Sequence, residues 1–202
     1  MTKISPRNPV SQVTFDALRE RFGWCSSWAL WSPAGATPKS GIADLWHFEA
    51  EHLAATLDQL HANVIFVGLN FSRNPDLEPF ANFHSGKPTG QDYKLRHALQ
   101  GTPFWGAYMT DIIKDFVEVS STNLMQALRN NPSIEKSSVQ TFLEEIDLLG
   151  AKDPLLVALG GDTHKILTRN FAGRFRIQRV PHYANYVAPQ TYRDQVLAAL
   201  AA

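Results

Sequence analysis

The polar residues best suited to chemistry in this 202-residue chain lie in four short clusters, each within or just behind a candidate strand. They are Gly68-Leu69-Asn70-Phe71-Ser72, Thr110-Asp111 with Lys114 close behind, Gly160-Gly161-Asp162-Thr163, and Pro181-His182-Tyr183. An asparagine amide is scarcely basic, but its carbonyl oxygen can hold a water molecule. A histidine nitrogen can aim a donor at an oxygen on which charge develops. An ionised Asp111 only accepts hydrogen bonds and would favour a partner that offers donors, whereas a buried, protonated Asp111 could still mimic an asparagine. Phe71 and Phe83 carry flat apolar faces on which a planar ring can stack, although phenylalanines are also ordinary core residues.

The elements that must position these clusters can be read from periodicity. Val64-Ile65-Phe66-Val67-Gly68-Leu69 and Leu155-Leu156-Val157-Ala158-Leu159 are short, apolar and rich in β-branched residues, as expected of strands buried on both faces. Tyr108-Met109-Thr110-Asp111-Ile112-Ile113 is a further candidate strand, and residues 176–180 another. Trp46, Ala50, Leu53, Leu57 and Leu60 recur at steps of four and three, which predicts a helix over residues 44–60. Val139, Phe142, Leu143, Ile146 and Leu149 predict a second helix. A third should follow Gly160-Gly161, capped by Asp162 or Thr163 and running through Phe171.

Helix alternating with buried strand is the α/β pattern. The expectation is therefore a three-layer sandwich with a mostly parallel central sheet of about four strands and helices on both faces. Residues 1–202 read as a single domain, with 1–43 as an N-terminal arm. Trp24, Trp28 and Trp31, spaced by four and three, suit a buried helix face or that arm better than a ligand platform. In such sheets ligands bind beyond the carboxyl ends of the strands, which is where all four clusters fall. The stretches 31–41 and 70–90 are rich in Pro, Gly, Ser and Asn without periodicity, as long functional loops often are.

Taken in order, the four clusters resemble the motifs of the uracil-DNA glycosylase superfamily. Gly68-Leu69-Asn70 is similar to its first motif, and Tyr108-Met109-Thr110-Asp111-Ile112-Ile113-Lys114 to its Thr-Asn stretch. Val157-Ala158-Leu159-Gly160 looks like the turn after its third strand, and Pro181-His182-Tyr183 occupies the place of its His-Pro-Ser motif. Phe83, thirteen residues beyond Asn70, is similar in spacing to the aromatic that stacks on the extruded base. The resemblance spans roughly residues 64–193, and Asn70 brings it nearer the mismatch-specific and single-strand-selective branches. Three positions depart from the pattern: Phe71 stands for a proline, Asp111 for the base-reading asparagine, and Tyr183 for the proline after the histidine.

This resemblance implies a DNA glycosylase-like hydrolase that flips and excises a damaged or deaminated base. Asn70 and His182 would be catalytic, while Gly68, Leu69, Phe71, Phe83 and Asp111 would bind the base. Ser72, Lys114, Thr163, Tyr183 and Arg193 would contact DNA, and Tyr186 lies where the family inserts a wedge. Asp111 also reads as a helix cap or a partner for Lys114, and its departure suggests a base other than plain uracil. A non-catalytic nucleic-acid or nucleobase binding module and an N-glycosidase for free nucleosides are the alternatives.

Composition limits the rest. Lys plus Arg and Asp plus Glu are 19 each, so no net field attracts a polyanion. The C-terminal third is nevertheless basic, with Lys165, Arg169, Arg174, Arg176, Arg179 and Arg193 against Asp162 between residues 159 and 193. Cys25 is the sole cysteine, so neither an intrachain disulfide nor a thiolate metal cluster is expected, and cytoplasmic residence is the default. His47 and His52 are five apart, about 140° round a helix, which does not suit a shared metal. No cofactor or metal is expected. Neither a signal peptide nor a membrane span is apparent, and a monomer with DNA as partner is anticipated.

Overall fold

A computed structural model describes residues 8–71, 78–114 and 116–201. Helix α1 (Gln12–Phe22) opens on Ser11, whose side chain accepts from the Thr14 amide, and buries Phe15, Leu18 and Phe22. Strand β1 (Ser27–Trp28) follows, then a 3-10 turn (Trp46–Phe48) and the short helix α2 (Leu53–Leu57). The remaining elements alternate apart from one pair of successive helices: β2 (His61–Asn70), α3 (Tyr93–Leu99), β3 (Ala107–Ile113), α4 (Ser121–Asn130), α5 (Pro132–Leu149), β4 (Leu155–Leu159), α6 (Gly161–Phe171), β5 (Arg176–Val180) and α7 (Pro189–Ala201).

The strands form one sheet in the order β1-β3-β2-β4-β5, parallel except for β1, which pairs antiparallel with β3. The chain runs from β2 outward to β3, then crosses back to lay β4 on the other side of β2. The strand order thus reverses at β2, and a crevice opens there beyond the carboxyl ends of the strands.

Alternation along each strand sorts the side chains into two cores. Ile65, Val67, Tyr108, Ile112, Leu156 and Ala158 face α1, α4, α5 and α6. Val64, Phe66, Met109, Leu155 and Val157 face α3 and α7. The result is an α/β fold of three layers, with a mostly parallel sheet between helices. Among the described residues no helix is long and apolar enough to cross a membrane.

Two expected elements differ. The helix over 44–60 is broken, because Glu49 takes extended backbone after the 3-10 turn and the Thr56 hydroxyl donates to the His47 carbonyl at 2.7 Å. The stretch expected to form an arm supplies core: Phe15, Leu18 and Trp28 are fully buried and β1 is a sheet edge. Trp28 and Trp31 sit in opposite cores, not on one helix face.

Candidate functional site

A cleft of about 440 Å³ lies at the carboxyl ends of the parallel strands. Gly68, Leu69 and Asn70 from β2, Asp111 from β3, Gly160 and Thr163 around the start of α6, and His182 and Tyr183 behind β5 all line it, together with Phe83. Its size is that of an ordinary small-molecule pocket.

The strand register explains why these residues meet. Gly68 pairs with Asp111 on the adjacent strand, so their Cα positions are side by side. A methyl group on Gly68 would overlap the Asp111 carboxylate and press on the Phe83 ring, so only glycine lets both approach β2. Phe83 itself has φ 64°, a backbone region that side-chain-bearing residues seldom occupy. It is held there by two bonds: its amide donates to Asn82 Oδ1 at 3.2 Å, and its carbonyl accepts from Trp31 Nε1 at 3.2 Å.

The Asn70 amide nitrogen donates to the Glu118 carbonyl at 2.7 Å, with longer contacts to the Phe116 and Phe71 carbonyls. Three acceptors around one nitrogen fix the amide orientation and leave Oδ1 as the acceptor for a ligand or water. The tautomer of His182 is set by the backbone. Its Nδ1 accepts from the Ala184 amide at 3.1 Å, so the ring proton resides on Nε2. Burial lowers the His182 pKa from 6.5, against an opposing pull from Asp92, and the ring is a neutral donor at pH 7. Tyr183 stacks on it with centroids 4.5 Å apart and meets Phe83 edge-on at 6.5 Å, extending an aromatic wall.

Asp111 is buried, and its Oδ2 accepts from Asn82 Nδ2 at 2.8 Å. Asn82 was not singled out in the sequence, although it stands next to Phe83 in the polar stretch 70–90. Behind the cleft is a second layer that sequence patterning does not reveal. Lys114 Nζ lies 2.7 Å from Glu145 Oε2 and donates to Thr110 Oγ1 and the Asp111 carbonyl, while Glu145 Oε1 accepts from Tyr108 and Thr110. Burial alone would lower the Lys114 pKa, but Cys25 and Glu145 beside it hold it above the ordinary value. Burial pushes the Cys25 thiol up to about 12.

Several expected site residues lie elsewhere. Phe71 is one residue past Asn70 and therefore points to the opposite face, where it packs edge-on against Trp24 at 5.4 Å. Lys114 shares the face of Tyr108 and Thr110, so it enters the core under α5 and is out of reach of a phosphate. Arg193 donates to the carbonyls of His97, Ala98 and Gln100, closing the end of α3 away from the cleft. Ser72 lies outside the described residues.

Neither Asp162 nor Thr163 caps α6. Gly160 holds the cap position at φ 103° without a side-chain bond; Asp162 pairs with Lys165, and Thr163 donates to the Leu159 carbonyl. The basic third of the chain is largely spoken for. Arg169 is paired with Glu135, and Arg176 lies 3.7 Å from Asp153.

Exposed Glu49 and Glu51 and half-buried His52 come within ligand distance of one another, but exposed acidic groups are common without a metal. The sequence matches no protein-family model, and no curated protein is significantly similar to it.

Proposed function

We propose that the protein is a nucleobase N-glycosidase of the uracil-DNA glycosylase type, acting on a modified base in DNA. The observation that carries this reading is the convergence of Asn70, Asp111, Phe83 and His182, remote in sequence, on one cleft at the switch point of the sheet. The base stacks on Phe83 with its edge towards Asp111, in a site lined largely by backbone and polar groups. Asn70 Oδ1 holds a water beside the sugar carbon. That water's oxygen attacks C1′ as the C1′–N bond breaks and its electron pair passes to the base nitrogen. The neutral His182 Nε2–H donates to the base oxygen on which negative charge develops. The attacking water loses its proton to solvent, and the departing base gains one. With an amide in place of a true general base, turnover is slow.

A second reading, cleavage of free nucleosides, is favoured by one specific feature. Among the described residues the cleft is lined by Asp111 and Asp162 and by no lysine or arginine. Among those described residues a phosphate finds no cation.

Release of free base from single-stranded oligonucleotides carrying uracil, hypoxanthine or xanthine, compared with the matching nucleosides, tests both. The leading reading predicts release from oligonucleotides, weakened as salt rises in proportion to the phosphates neutralised. Release from nucleosides alone, indifferent to salt, would transfer the assignment to the second reading. Release from neither contradicts both.

A further inference from the structure

Asn82 is 7% exposed, and every polar atom of its side chain is engaged. Nδ2 donates to the Cys25 carbonyl at 2.7 Å and to Asp111 Oδ2 at 2.8 Å, while Oδ1 accepts from the Phe83 amide. One side chain thus ties the group that would read the base edge to the backbone of the ring that would stack on the base. It also anchors both to β1's neighbour Cys25, on the far side of the 44–60 excursion. A surface turn would not require this, because a side chain there meets its needs with water.

The bond to Asp111 has a chemical consequence. A carboxylate oxygen that receives an N–H is the accepting oxygen, and a carboxylate presents acceptors only. Asparagine at the same position would present both a donor and an acceptor. Asp111 oriented by Asn82 therefore suits a base edge carrying an N–H, such as a lactam N–H or an amino group, and disfavours an edge of acceptors alone.

We propose that Asn82 is the specificity-determining positioning residue of this cleft: through Asp111 and Phe83 it selects planar bases that offer an N–H donor at the Asp111 edge. This rests on the base-binding reading of the same site. Substrate class follows as lactam or amino-bearing bases, with those blocked by N-methylation at that edge rejected.

The test compares hypoxanthine with 1-methylhypoxanthine, and uracil with 3-methyluracil, each placed in the same oligonucleotide and supplied as the nucleoside. The wild type should prefer the unmethylated base by about 10- to 100-fold, the range for one hydrogen bond to a charged group. Asn82→Ala should lower that ratio towards one, whatever it does to the absolute rate. A merely structural role would slow both bases alike and leave the ratio unchanged.

Asn82→Asp keeps the size and the acceptor for the Phe83 amide but replaces the N–H donor by a second carboxyl beside Asp111, so that the two share one proton and Asp111 is no longer a fixed acceptor. It provides the second variant if alanine prevents folding, and it too should lose the ratio. Combining Asn82→Asp with Asp111→Ala should reduce the ratio no further than Asp111→Ala alone, because Asn82 acts through that carboxylate. A ratio retained in both Asn82 variants, or a further loss in the double variant, overturns the proposal while leaving the glycosidase reading intact. A wild type that releases no base from any of these substrates overturns the glycosidase reading itself.

Discussion

His182 shows most clearly how one backbone bond sets the chemistry available to a side chain. Because the Ala184 amide occupies Nδ1, the ring can offer only Nε2–H to the cleft, and burial keeps it uncharged near pH 7. His182→Ala should lower the single-turnover rate of base release by about 10²- to 10³-fold, as removing one donor from developing charge does elsewhere. Substrate affinity should change far less, since the interaction strengthens as the bond breaks. The same burial makes stability depend on pH. His182 and His47 both titrate below 6.5 when folded, and desolvation is the leading cause in each. The unfolded chain therefore binds more protons as pH falls through 6.5, so this contribution is complete above 6.5 and is lost towards the lower folded values. Urea midpoints measured between pH 7.5 and 5 should fall on the acid side, and His182→Asn should flatten part of that slope.

At the scale of elements, strand alternation decides which neighbours in sequence become neighbours in function. Asn70 faces the cleft and Phe71 the core; Asp111 faces the cleft, whereas Thr110 and Lys114 face Glu145. Lys114 is thus a structural cation in a buried layer. Its replacement by alanine should cost about 3–5 kcal/mol, because Glu145 would be left as an uncompensated buried charge. Thermal or urea unfolding of Lys114→Ala would measure this, and a loss below about 1 kcal/mol would deny the pair its role.

β2 and β4 could be read from sequence as short apolar runs closed by polar residues or glycine, β3 as apolar residues on both sides of Thr110-Asp111, and β5 only from Ile177 and Val180 ahead of Pro181. β1 could not, since two residues carry no periodicity, and pairing with β3 alone makes Ser27-Trp28 a strand. The 44–60 stripe misleads for the converse reason. Its apolar spacing is helical, but Thr56 bonding to the His47 carbonyl competes with the helix ladder. Site residues directly behind strands were visible in the sequence. Asn82 and Trp31 act through bonds to residues far away in sequence, which leave no pattern in the chain.

For the molecule as a whole, three layers place one crevice where the strand order reverses, and among the described residues positive charge does not converge on it. The basic residues of the C-terminal third are engaged in local pairs or spread along β5 and the helices, while the described cleft lining carries two carboxylates. On the proposed function, recognition in this cleft rests on shape, stacking and hydrogen bonds more than on electrostatic attraction. The claim on which the account turns is that Asn70 holds the water that attacks the sugar. Single-turnover release of base by the wild type and by Asn70→Ala, from the substrate that the wild type handles fastest, addresses it directly. The variant should retain its fold and its affinity for that substrate while releasing base at least about 100-fold more slowly. Equal rates for the two proteins would contradict the account.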